Sequence, residues 1–371
     1  MDFTLKTYKQ LLQTLKDAGY RFITFEEYLG RSEDGRWETE DGRLKTEDRS
    51  KLRAQPEIPR HAGTEDRRRE TEDGRWETEV YHASPVTDDT SPVIILRHDV
   101  DLLPQNSLAF ARIQHEMGIR GSYYFRAVPE SWDESIIKEI HRLGHEVGYH
   151  YEDLDLVGRE GRPKTEDGRP KRGDGRWETE EGNPAIRQSN NLSHYNDPLL
   201  VAAIASFTNN LEKLRQLVPV KTICMHGSPR SKYDNRDLWK KYDYRDFGIL
   251  GEPYFDVDFD DVFYLTDTGR RWDGWKVSIR DKVPQQERWV KEGLVFGSTF
   301  DILKRVVSEK IKDKSEKVKV GRYNPHQPFP DRVMFTFHPQ RWTDKPIPWL
   351  KEYIMQNVKN VVKRLIVSTV R

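Results

Sequence analysis

Arg97-His98-Asp99-Val100-Asp101 follows directly on the apolar run Val93-Ile94-Ile95-Leu96. This is how a buried strand looks when its C-terminal end opens into a site. Period-two alternation puts Arg97, Asp99 and Asp101 on one face, with His98 and Val100 on the other. Two carboxylates this close repel each other unless a cation, a proton or a division of labour separates them. A plainer reading is also open, in which Asp99 pairs with Arg97 and Asp101 starts the next helix.

The same chemistry recurs at three other strand ends: His150 and Glu152 near the end of 145–152, His226 after Val218–Met225, and His338 after Val333–Phe337. A single histidine is ordinarily a packing or capping residue. Four strand ends of one chemistry point to a site. In parallel α/β architectures ligands bind outside the carboxyl ends of the strands, where residues distant in sequence converge. Histidine and carboxylate without cysteine suit zinc or another divalent first-row ion. Such an ion lowers the pKa of a bound water and polarises a carbonyl, leaving one carboxylate to act as base and one histidine as acid.

The elements that must position these residues alternate along the chain. Leu5, Tyr8, Leu11, Leu12 and Leu15 have helical spacing and Gly19 follows as a stop; Arg21–Phe25 reads as a strand. After Asp101 come a helix over Ser107–Met117, a strand over Ile119–Arg126, a helix capped by Asp133, and the alternating strand 145–152. Strand and helix in this order imply a parallel sheet, a barrel or part of one. Pro198–Leu217 reads as a helix buried through Leu200, Ile204, Phe207, Leu211 and Leu214. Glu252–Asp267 has room for two short strands, residues 307–330 read as a solvated connection, and Trp349–Val367 reads as an amphipathic helix covering the sheet.

Not all of the 371 residues read as core, because only 35% are hydrophobic and 33% are charged. The mean hydropathy of -0.88 is polar for a domain of this size. Asp34-Gly35-Arg36-Trp37-Glu38-Thr39-Glu40 recurs at 73–79 and again at 174–180. Identical heptads at unequal gaps, without an apolar face, do not make a solenoid. They mark two low-complexity insertions, 31–80 and 158–182, in surface loops of a single 1–371 domain. Lysine plus arginine and aspartate plus glutamate balance at 62 each, giving no field for nucleic acid or an anionic membrane. Cys224 is the only cysteine, which excludes an internal disulfide. With no leader-like start and no apolar run of membrane-spanning length, the chain reads as soluble and cytoplasmic.

These residues resemble the polysaccharide deacetylases of carbohydrate esterase family four, which share the NodB homology domain. The resemblance covers roughly 93–155 strongly and 218–342 more loosely. It implies a distorted, incomplete (β/α) barrel and hydrolysis of an N-acetyl group on an amino sugar or glycan, with a divalent metal, zinc, as cofactor. It also implies that Asp99 is the catalytic base and Asp101 a metal ligand. Gly144-His145-Glu146-Val147-Gly148-Tyr149-His150 is similar to the family segment whose final histidine binds metal, so His150 inherits that role. The late strand ending at His338 resembles the one that presents the catalytic acid.

Two departures stand out. Val100 separates aspartates that the family has side by side, and Leu154 stands where the family has its second metal histidine. His226, Glu152 and Asp153 are the candidates to replace that ligand, with His226 favoured by its place at a strand end. Arg97 is placed to orient Asp99. Arg271 and Trp272, in the run Tyr264–Trp272, either line a sugar site or belong to a structural loop. Two alternatives stay open: an amide or ureide hydrolase on the same scaffold, and a non-catalytic carbohydrate-binding protein that has lost its metal.

Overall fold

The computed structural model describes residues 1–30, 91–160, 197–228, 231–273, 283–312 and 328–369. Residues 31–80 and 161–182, the bulk of the expected insertions, lie outside the described residues. Residues 158–160 belong to a helix.

The chain is a mixed α/β protein whose parallel sheet curls into a half-barrel. Its strands are β1 (Arg21–Ile23), β2 (Val93–Val100), β3 (Ser122–Phe125), β4 (Glu146–Tyr151), β5 (Ile223–Met225), β6 (Phe263–Thr266) and β7 (Arg332–Phe337). The sheet runs β5-β4-β3-β2-β7-β6. One edge of β2 is taken by β7 along Val93–His98. The other edge is shared: β1 pairs with Val93–Ile95 and β3 with Arg97–Val100. The backbone N–H of Phe25 donates to Ser122 Oγ at 2.8 Å, where these two partners meet. All eight residues of β2 are buried, Arg97, His98 and Asp99 included, and the apolar run Val93–Leu96 is what a central parallel strand requires.

Alternation along β2 holds as the sequence implies. His98 points into a polar and aromatic layer with Tyr8, Phe110 and Tyr123, whereas Arg97 and Asp99 pair with each other on the opposite face. Because every strand is parallel, all the strand ends singled out above lie at one end of the sheet.

The helices follow the expected pattern in α1 (Leu5–Asp17), α3 (Pro104–Glu116) and α4 (Glu134–Arg142), with the Asp133 side chain capping the last. The strand expected over 21–25 ends early. Thr24 and Glu27 form a reciprocal capping box that starts a short helix, α2 (Phe25–Leu29). After β4 the chain forms α5 (Asp153–Glu160) and α6 (Pro198–Arg215), which pack together. Ala203, Phe207, Leu211 and Leu214 form the buried stripe of α6, whereas Leu200 and Ile204 are only half-buried.

The stretch 252–267 holds one strand, β6, rather than two. Glu252 caps a short helix, α7 (Pro253–Asp256), with Pro253 at its first position. After α8 (Gln286–Lys291), α9 (Thr299–Lys312) runs into the region read as a connection. The closing helix α10 (Pro346–Thr369) is present but reversed in sense. Over 346–361 Gln356 and Asn360 are its buried residues, while Leu350, Ile354, Val358 and Val361 are exposed.

Candidate metal centre

Three strand ends bring Asp101, His150 and His226 together. Asp101 is the residue after β2, His150 sits in β4, and His226 follows β5, which pairs with β4 through His150 and Cys224. Asp101 Oδ1 lies 3.5 Å from His150 Nε2 and 3.6 Å from His226 Nε2. One ligand atom from each residue falls within 4.8 Å of the others. The Oδ1 atom is shielded from solvent and has no hydrogen-bond partner. Bonds of about 2.0–2.1 Å to a tetrahedral ion place ligand atoms about 3.3 Å apart, close to this spacing. A buried, orphaned carboxylate oxygen facing two imidazole nitrogens therefore fits a divalent cation.

The groups behind these three atoms set their direction. His150 Nδ1 lies 2.9 Å from the carbonyl of Cys224. A carbonyl only accepts, so the ring proton sits on Nδ1 and the Nε2 lone pair faces the site. His226 Nδ1 lies 2.9 Å from Glu152 Oε2, and a proton carried on Nδ1 toward that carboxylate leaves Nε2 facing the site. The other oxygen of Glu152 accepts from Arg126 Nε at 2.6 Å, and Arg126 Nη1 also donates to the Asp101 carbonyl at 3.0 Å. Asp101 Oδ2 accepts from Gln340 Nε2 at 2.9 Å. Burial pushes the Asp101 carboxyl up, but His150, His226 and His338 around it outweigh burial and hold it well below the usual carboxylate range.

On one flank stands Asp99. Arg97 Nε and Nη2 donate to its two oxygens at 2.8 and 2.7 Å, a bidentate fork that is 1% exposed at the arginine. Its Oδ2 is 3.8 Å from His150 Nε2. The pairing of Asp99 with Arg97 thus coexists with a neighbouring residue group that could hold a metal ion. Cys224 joins Asp99 and His150 in a second group with metal-ligand spacing. There each Asp99 oxygen already accepts one hydrogen bond from Arg97, whereas Asp101 Oδ1 accepts none, so the Asp101 group is the better cradle.

On the other flank, His338 Nε2 lies 4.0 Å from Asp101 Oδ2, and its Nδ1 lies 2.6 Å from Asp267 Oδ1. Asp267 is buried and also accepts from the His338 backbone N–H, Trp342 Nε1 and Arg341 Nη1. Burial and Arg341 push the His338 pKa down, but the charge and hydrogen bond of Asp267 prevail and raise it.

Several expectations need correction. Glu152 belongs to neither group with metal-ligand spacing and lies beside His226. Asp153 turns away, accepting from Tyr149, Ser206 and Asn210, and Leu154 is a core residue. Trp272 is buried against Phe335 and Phe337 with its Nε1 on Thr299, and Arg271 pairs with Asp273. Neither has a contact with the Asp101 group among the described residues. His98 hydrogen-bonds Tyr8 and Gln114, and burial lowers its pKa to about 3. Asp267, Arg126 and Gln340 were not singled out from the sequence. Asp267 directly follows strand β6, the same strand-end signal that flags the others.

No protein-family model matches the chain, and neither a curated protein nor a solved structure matches it. No helix of the described residues is long and apolar enough to cross a membrane.

Proposed function

We propose that this chain is a metal-dependent hydrolase of the polysaccharide deacetylase type, which removes an N-acetyl group from an amino sugar or glycan with zinc as its ion. The observation that carries the reading is the orphaned Asp101 Oδ1 between His150 Nε2 and His226 Nε2, flanked by a carboxylate and a protonatable histidine. Asp101, His150 and His226 would hold the zinc, which when bound would supply Lewis acidity toward the acyl carbonyl. Asp99, fixed by the Arg97 fork, takes a proton from the attacking water. His338, charged with the help of Asp267, gives a proton to the departing nitrogen. The C–N bond breaks, the acyl carbon gains the water oxygen, and acetate and a free amine leave.

The test is metal analysis paired with acetate release from N-acetylated glucosamine oligomers. The wild-type protein is expected to bind a stoichiometric divalent ion and release acetate. Asp99→Asn keeps the ion and loses about 100-fold or more in rate, whereas His226→Ala loses the ion. Absence of a stoichiometric ion, with Asp99→Asn indistinguishable from wild type, would overturn the reading.

A further inference from the structure

The closing helix α10 turns its polar side inward and its apolar side out, and its seating is specific. Asn360 Nδ2 donates to the Gly269 carbonyl at 2.9 Å, and Trp349 Nε1 donates to the Asp2 carbonyl at 2.7 Å. The Arg270 guanidinium lies 4.7 Å from the centre of the Trp349 ring, a cation–π contact. A Cβ on Gly269 would come 2.7 Å from Asn360, so the helix sits hard against this loop. Rolling α10 to bury its apolar stripe would break these contacts. The outward stripe is therefore a fixed feature of the fold.

Ile347, Leu350, Ile354, Val358 and Val361 are each between 51% and 82% exposed. Their open surface, roughly 600 Å² on one face, is at the upper end of what a monomer ordinarily leaves to water. Two copies joined through it would bury about 1,200 Å², where stable specific interfaces begin. Spacing names the occupant. Ile347, Ile354 and Val361 recur at seven-residue intervals, with Leu350 and Asn357 between them. β-Branched residues at each first heptad position and leucine at the fourth make the pattern of a two-stranded parallel coiled coil, in which a single asparagine in the seam fixes the register. Asn357 stands exposed in that seam. A lipid surface fits less well. Over 346–361 the helix carries Lys351 and Lys359 against Glu352, not the strongly basic face that lays a helix on anionic lipid. We infer that α10 pairs with α10 of a second copy, side by side and parallel about a two-fold axis, so that this protein is a homodimer.

The experiment is sedimentation of the full chain across micromolar concentrations, with thermal unfolding of each variant alongside. Wild type is expected to sediment as a dimer. Ile354→Glu puts two unpaired carboxylates into the seam, and the dissociation constant should rise about 100-fold or more. Lys359→Ala, on the side of the helix away from the seam, should leave it unchanged. Asn357→Cys should join the two copies through a disulfide on mild oxidation, because the only native cysteine, Cys224, is buried. A wild-type monomer throughout the range would overturn the inference, and flotation with phosphatidylglycerol vesicles would then assign the face to lipid. A dimer that Ile354→Glu leaves intact would place the contact elsewhere and overturn it as well. A dimer sensitive to Ile354→Glu in which Asn357→Cys does not cross-link would overturn the parallel arrangement. Should Ile354→Glu lose cooperative unfolding, Ile354→Ser is held to a rise of about 10-fold or more.

Discussion

A histidine binds a metal well only when its other nitrogen is held, and the two candidate imidazoles are held differently. His150 is fixed by a backbone carbonyl, which substitution of side chains does not remove. His226 depends on the Glu152 side chain, itself anchored by Arg126. Glu152→Gln keeps the volume but weakens the acceptor, and zinc affinity should fall about 10- to 100-fold, as measured by chelator competition. An unchanged affinity would mean that His226 needs no such support. His338 offers a second test. Its pKa is raised above 6.5, so its pairing with Asp267 contributes stability that is fully present below pH 6.5 and lost as pH rises through the folded value. A general acid must be protonated, so activity should decline on the same alkaline limb. Asp267→Asn removes the charge that raises the pKa, and the limb of the pH–rate profile should move to lower pH. A limb that stays in place would assign it to another group.

The strands carry these side chains to one place only because their neighbours leave room. Gly148 in β4 faces Tyr124 of β3, and a Cβ there would lie 2.4 Å from the tyrosine ring and 2.8 Å from the Thr222 carbonyl. Tyr124 is fully buried and bonds Thr222, so it has little room to yield. Gly148→Ala should cost about 1–3 kcal/mol of overpacking, read as a lower Tm in thermal unfolding. A variant as stable as wild type would show that the sheet relaxes at this point. The legibility of each element followed the same physics. β2 and β7 were plain in the sequence because each carries a continuous apolar run, Val93–Leu96 and Val333–Phe335, and turns polar toward its C-terminal end. β6 and α7 were not separated, since Pro253 after Glu252 marks a helix start within an otherwise strand-like aromatic run. For α10 the apolar stripe was visible, but periodicity does not say which side faces the protein. Over 346–361 the buried side is polar, with Asn360 Nδ2 donating to the Gly269 carbonyl. The candidate ligands were legible as strand ends, as Glu152 and Asp267 also are by position, whereas the partners that Glu152, Asp267 and Gln340 find across the sheet are encoded by no local pattern.

At the scale of the whole chain, Met1–Gly30 and Ser91–Arg371 cluster as one compact unit. The flanks of the 31–90 segment are tied into that unit independently of it. β1 pairs with β2 in register Arg21 to Val93, and the Arg21 N–H donates to the Pro92 carbonyl at 2.8 Å. The Tyr20 hydroxyl donates to the Pro330 carbonyl at 3.0 Å, and Val93 N–H donates to the Asp331 carbonyl at 2.6 Å. Replacing 31–90 by a flexible linker of about 12 glycines and serines, whose average span is roughly 20 Å, preserves the connection. Loop-closure entropy then favours the shorter chain by about 1.4 kcal/mol. The shortened protein should unfold cooperatively with a Tm at or above that of the full chain, and should bind zinc with unchanged affinity, because all three proposed ligands lie in the retained unit. Loss of cooperative unfolding would mean that the 31–90 segment contributes to the core. Retained folding with weakened zinc binding would instead tie the segment to the metal centre.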